Sequence, residues 1–265
     1  MKKTITILFL IVSGIVNAQS FRLANSEDQA HLIDMVGGDN IHVSSITFTD
    51  QNVEREWFYV SYTQGVLSLG NYERFTNVYE KKSGGFIKIT MPGLQTLTHG
   101  PATFAFLNND HLPDLVQTGR DINNYPRAYV YVNDGNTSWK QTQELYGLFD
   151  GAITRIPDSG GDGVVIMGSG FDGKITSNTK ILKNSGTGDG YLTEVFDGVG
   201  GTDGSVHVVD IMGGTNVVAY YHGTNFKGSF NKKATRQTDG TYVEVDNGFP
   251  TIQRGDSEYF DFDNE

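Results

Sequence analysis

Residues 101–151 read PATFAFLNNDHLPDLVQTGRDINNYPRAYVYVNDGNTSWKQTQELYGLFDG. Four short runs with strand composition stand in this stretch, at 102–106, 114–118, 128–132 and 139–145. A polar loop separates the first two, a longer loop follows the second, and Asn133-Asp134-Gly135 turns the third into the fourth. Four antiparallel strands ending at a glycine make one blade of a β-propeller.

The unit recurs. His99-Gly100, Asp150-Gly151, Asp203-Gly204 and Arg254-Gly255 are spaced by 51, 53 and 51 residues. The hairpin glycines Gly84, Gly135, Gly186 and Gly240 keep nearly the same beat, with steps of 51, 51 and 54. Two independent markers at one period define an internal repeat, and a period of this length holding only strands predicts an all-β propeller of four-stranded blades. The expected units are 45–100, 101–151, 152–204 and 205–255, with 256–265 opening a fifth, and the periodic glycine read as the link between blades. Because the last run stops after one strand, the ring reads as incomplete; the alternative is that residues 19–44 return to close it.

Composition fits this reading. Glycine numbers 33, with 16 Phe and 13 Tyr, as many tight turns and short strands require. Residues 1–18 have Lys2 and Lys3, an apolar run at 5–16, and Val16-Asn17-Ala18 before Gln19, the pattern of a cleaved signal peptide. The expectation is therefore a secreted or cell-surface protein, or a periplasmic one. Its stability does not rest on disulfides, since the chain has no cysteine. Formal charge is −11, and loss of Lys2 and Lys3 would make it −13. Such a surface repels phosphate backbones and argues against nucleic-acid partners.

Phe106-Leu107-Asn108-Asn109-Asp110-His111-Leu112-Pro113-Asp114-Leu115-Val116 resembles the FG-GAP or VCBS-type repeat of integrin-α-like propellers, whose loop follows D-x-[DN]-x-D-G-x-x-D. Asp261-Phe262-Asp263-Asn264 resembles the start of the same loop. The resemblance implies Ca2+ held by Asn108, Asp110 and Asp114, and by Asp261 and Asp263 in the unfinished unit, because alternating oxygens on a tight loop suit a hard cation. Two departures weaken that set: Phe106 stands at the first ligand position and His111 replaces the turn glycine. The corresponding loops elsewhere have drifted further, to Asp50, Asn52 and Glu54 in the first unit and Pro157, Asp158, Ser159 and Asp162 in the third.

Two motifs are explained by the repeat. Gly168-Ser169-Gly170-Phe171-Asp172-Gly173 matches a dinucleotide fingerprint, but β-branched residues follow where the mechanism needs a helix. Arg254-Gly255-Asp256 spells an integrin-recognised tripeptide, but its glycine is in phase with the beat. No paired histidines and no nucleophile elbow are present. The primary expectation is thus a non-enzymatic exported propeller that binds a glycan or protein through one face. That face collects the loops after each second strand, with Arg120, Asp121, Asn124, Tyr125, Phe171, Asp172, Lys174, His222, Asn225 and Phe226 as ligand-binding candidates. The alternative is a propeller-type polysaccharide lyase or other carbohydrate-active enzyme, with His222 and Tyr125 as first suspects.

Overall fold

The computed structural model describes residues 39–248 except 67–70, 99, 109, 136–138, 147, 159, 172–174, 211–216 and 226. The described chain is all-β, built from four antiparallel four-stranded sheets. Blade one holds β1 (Asp39–Asp50), β2 (Val53–Val66), β3 (Asn71–Lys82) and β4 (Gly85–Ile89). Blade two holds β5 (Ala102–Ala105), β6 (Asp114–Arg120), β7 (Pro126–Asn133) and β8 (Trp139–Tyr146). Blade three holds β9 (Phe149–Ile156), β10 (Gly163–Phe171), β11 (Ile175–Asn184) and β12 (Leu192–Val199), and blade four β13 (Thr202–Asp210), β14 (Val217–Asn225), β15 (Gly228–Arg236) and β16 (Tyr242–Asp246). Within each sheet the strands follow chain order, and the first strands β1, β5, β9 and β13 neighbour one another from blade to blade. This is the multi-blade propeller expected from the repeat.

The blades pack face to face. Central strands are therefore buried on both sides and read as continuous apolar runs: Val164, Val165, Ile166 and Met167 are all buried in β10. Three core clusters fill the gaps between successive blades. In the first, the Trp57 ring lies 4.8 Å from Phe48 and 5.7 Å from Trp139 of the next blade. Each such buried side chain contributes roughly 1.5–3 kcal/mol.

Two of the periodic glycines are not linkers. Gly151 lies inside β9 and Gly204 inside β13, each at a bulge. Ala152 faces Met167 and Phe149 faces Ser169, so two residues of β9 oppose Gly168 alone; likewise two residues of β13 oppose Gly223. β1 has the same irregularity between Asp39 and His42, and Gly100 sits at the corresponding place before β5. The reason for glycine is steric: a Cβ would stand 1.9 Å from the Thr118 carbonyl oxygen at Gly100, 1.9 Å from that of Met167 at Gly151 and 1.8 Å from that of His222 at Gly204. The blades consequently begin earlier than expected, and β1 starts at Asp39 rather than near Ser45.

Replacing Gly151 or Gly204 with Ala should therefore cost roughly 2–3 kcal/mol, as forced overpacking does. Gly84→Ala, where nothing lies within 4 Å, should stay within about 0.5 kcal/mol. Denaturant unfolding of the three variants checks this, and equal stabilities would contradict it.

Candidate functional site

The bulges mark one end of every blade, where the first strand begins and the second strand ends. At this end β6 finishes at Arg120, whose backbone exchanges hydrogen bonds with Thr98 (Thr98 N to Arg120 O, 3.0 Å; Arg120 N to Thr98 O, 2.7 Å). The loop 121–125 follows directly. Asp121 organises it: Oδ1 accepts from Asn123 N at 2.8 Å and Tyr125 N at 2.9 Å, while Oδ2 accepts from Arg127 Nε at 3.3 Å. Against a desolvation penalty, these N–H donors and the Arg127 guanidinium hold the Asp121 carboxyl below its ordinary range. From blade one, Arg74 Nη1 donates to the Asp121 carbonyl oxygen at 2.6 Å. Asn124 takes a left-handed backbone, φ 62°. The ring of Tyr125 remains 55% exposed and Ile122 80%.

His222 lies elsewhere and differently. It is part of β14, not of a loop, and it is buried. Its Nε2 is 2.7 Å from Ser205 Oγ, which is 3.0 Å from His207 Nε2, so the hydroxyl bridges two imidazoles beside the Gly204 bulge. Asn225 is used in the linker: its Nδ2 donates to Gly200 O at 3.0 Å and its Oδ1 accepts from Lys227 N at 2.9 Å. Phe171 ends β10; Asp172, Lys174 and Phe226 lie outside the described residues. Arg120, Asp121, Asn124 and Tyr125 thus come together in blade two, whereas His222 and Asn225 belong to blade four.

Sequence reasoning passed over the residues that precede the glycines. Asp150 in β9 and Asp203 in β13 occupy the same bulge position on adjacent inner strands, with Asn40 at that position in β1. The signal was present in the beat itself, since Asp150-Gly151 and Asp203-Gly204 recur in phase.

At the opposite end, the carboxylates of the loop 106–114 hold its backbone. Asp114 is fully buried; Oδ2 accepts from Leu107 N at 2.8 Å and Oδ1 from Asn133 N at 2.9 Å. Asp110 accepts from Leu112 N at 2.9 Å and from Asn108 Nδ2 at 2.8 Å. His111, in place of the turn glycine, keeps the left-handed conformation at φ 63°. Both carboxylates are thus engaged by nitrogen donors, and among the described residues no group of three His, Cys, Asp or Glu gathers as metal ligands. In the first blade, Asp50 and Glu54 flank a two-residue turn, Gln51-Asn52, with φ 49° and 64°, the torsions of a type I′ hairpin. Asp261 and Asp263 lie outside the described residues. The dinucleotide-like run continues β10 through Phe171, with β11 resuming at Ile175, and no helix follows.

The loop is also clamped by the next blade. Phe106 N donates to Asp162 Oδ2 and Asp162 N to Phe106 O, both at 2.8 Å, Asn184 Nδ2 donates to Leu107 O, and Arg155 lies 5.6 Å over the Phe106 ring.

No family model matches the chain, and no curated protein matches it in sequence. Solved structures do resemble it in fold. A glycosyl hydrolase from Bacteroides ovatus is 10% identical over 79% of this chain and 71% of its own, with a TM-score of 0.42. An α-L-arabinofuranosidase from Lactobacillus brevis is 14% identical over 84% and 81%, at 0.43, and an endo-arabinase from Bacteroides thetaiotaomicron 14% identical over 88% and 82%, at 0.43. All three are named as enzymes, which the expectation of a non-enzymatic binding propeller did not foresee, and that expectation is not carried further. At these identities the likeness concerns fold and assigns no substrate.

The Asp114 environment carries its own test. Burial pushes this carboxyl from 3.8 up to about 7, opposed by the N–H bonds of Asn133 and Leu107. Between those two values the folded chain holds a proton that the unfolded chain has lost, so this group's stabilising contribution falls as pH rises from about 4 to about 7. Asp114→Asn should flatten the corresponding part of the stability–pH profile, while losing about 1–3 kcal/mol because its amide cannot accept both N–H groups. An unchanged slope in the variant would contradict the assignment.

Proposed function

We propose that this chain is an exported carbohydrate-active enzyme that hydrolyses glycosidic bonds at the bulge-bearing end of the propeller, with Asp150 and Asp203 as its carboxylate pair. The observation that carries the reading is their shared register: adjacent inner strands put an aspartate beside a glycine bulge at the same position. Bulges concentrate beside active sites, where they re-aim side chains. Glycoside hydrolysis needs two carboxyl groups flanking one bond. One gives its proton to the departing glycosidic oxygen; the other, ionised, takes a proton from the attacking water or attacks the anomeric carbon itself.

Export is part of the proposal and rests on the signal-like pattern of residues 1–18. No helix among the described residues is long and apolar enough to cross a membrane. A kinship with FG-GAP or VCBS repeats is proposed as well, supported by Asp110 and Asp114 in the loop between the first two strands of blade two and by the left-handed turn kept at His111.

Incubation with a panel of neutral and acidic polysaccharides should release reducing ends from at least one neutral polymer, without the ultraviolet-absorbing double bond that a lyase leaves. Asp150→Asn and Asp203→Asn should each lower kcat about 100-fold or more while the circular dichroism of the sheets is retained. Retention of polysaccharide without cleavage, or cleavage indifferent to both substitutions, would overturn the reading.

A further inference from the structure

The loop 121–125 is built as a platform. Five hydrogen bonds fix it: Asp121 Oδ1 to Asn123 N and Tyr125 N, Oδ2 to Arg127 Nε, and backbone bonds from Asp121 N to Tyr125 O and Asn124 N to Asp121 O, both 3.0 Å. Arg74 ties it to the neighbouring blade. A loop held this firmly does not collapse to hide its apolar groups, and Ile122 and Tyr125 stay in solvent, with Asn123 and Asn124 exposed between them. The loop starts at the residue after Arg120, whose pairing with Thr98 stands next to the His99-Gly100 step of blade two. It therefore rises from the same end of the propeller as the Asp150 and Asp203 positions.

We propose that this loop is a glycan-binding platform, on which the Tyr125 ring stacks against the face of a neutral sugar while the Asn123 and Asn124 amides reach its hydroxyls. The inference rests on the carbohydrate reading above and adds the chemistry of the substrate. An aromatic face beside amides is suited to a sugar, which has an apolar C–H face and a polar rim. Because the loop is already immobilised, little ordering entropy is lost on binding. Charge selects the kind of sugar: a chain of formal charge −11 repels polyuronates, and two guanidinium groups beside the loop, Arg74 and Arg127, are engaged by Asp121.

The test separates binding from turnover by using the full chain with Asp150→Asn and Asp203→Asn together. In affinity gels containing galactan, xylan, arabinan or polygalacturonate, this variant should be retarded by at least one of the three neutral polymers and not by polygalacturonate. Adding Tyr125→Ala should weaken that retardation about 10-fold or more, Tyr125→Phe should restore it, and melting should stay unchanged, since the ring supports nothing beneath it. Retardation that survives Tyr125→Ala, retardation by polygalacturonate alone, or none by any polymer would each overturn the platform. Absence of turnover by the unsubstituted chain with retardation intact would instead count against the carboxylate pair and leave the platform standing.

Discussion

The close approach of each blade's first strand to its second is the constraint on which this structure depends. At Gly100, Gly151 and Gly204 the neighbouring carbonyl oxygen occupies the place of a side chain, so only hydrogen fits. The contact bends the inner strand near the start of its run. It also explains why glycine recurs at a fixed interval although loops and exposed strands around it differ freely. A single geometric demand, met by glycine in blades two, three and four, keeps the repeat visible in the chain.

Between blades, two devices act together. Apolar side chains fill the gaps, with Trp57 reaching Phe104 and Trp139 across the first of them. Buried polar groups then set the angle and height at which blades meet. Gln117 Nε2 donates to the Tyr59 hydroxyl at 3.0 Å and to Gln95 O at 2.9 Å, and Asp162 with Asn184 takes hold of the 106–107 backbone. Such contacts tolerate little displacement, because an unpaired buried polar group costs more than the bond itself contributes. The acidic loop of the second blade has therefore become part of the blade joint.

Much of the fold was legible in the residues, because turn glycines and apolar runs report local geometry. The limits are physical. A glycine at a bulge and a glycine in a linker satisfy the same sequence rule, so Gly151 and Gly204 were read as boundaries although they lie within strands. Strand ends were read short for a similar reason: Gly168, Ser169 and Gly170 have weak strand propensity, yet pairing with β11 carries β10 through Phe171. Asp114 was recognisable by position. Its partners were not, since the N–H groups of Leu107 and Asn133 are set by the fold. At the candidate site, Asp121 and Tyr125 were found because polar turns with aromatics announce exposed loops. Asp150 and Asp203 were hidden by their own regularity, and Ser205 became meaningful only once His207 and His222 were seen on either side of it.

The central claim is that the glycine bulges give Asp150 and Asp203 the same register on adjacent inner strands, at the end of the propeller where we propose that a sugar is processed. A crystal structure of the Asp150→Asn variant soaked with an oligosaccharide of the polymer it retains tests this most directly. The account predicts two-against-one pairing opposite Gly168 and Gly223, with the sugar between residues 150 and 203 and its chain running toward Tyr125. An unbroken ladder at these positions, or sugar bound at the end that holds Asp110 and Asp114, would contradict it.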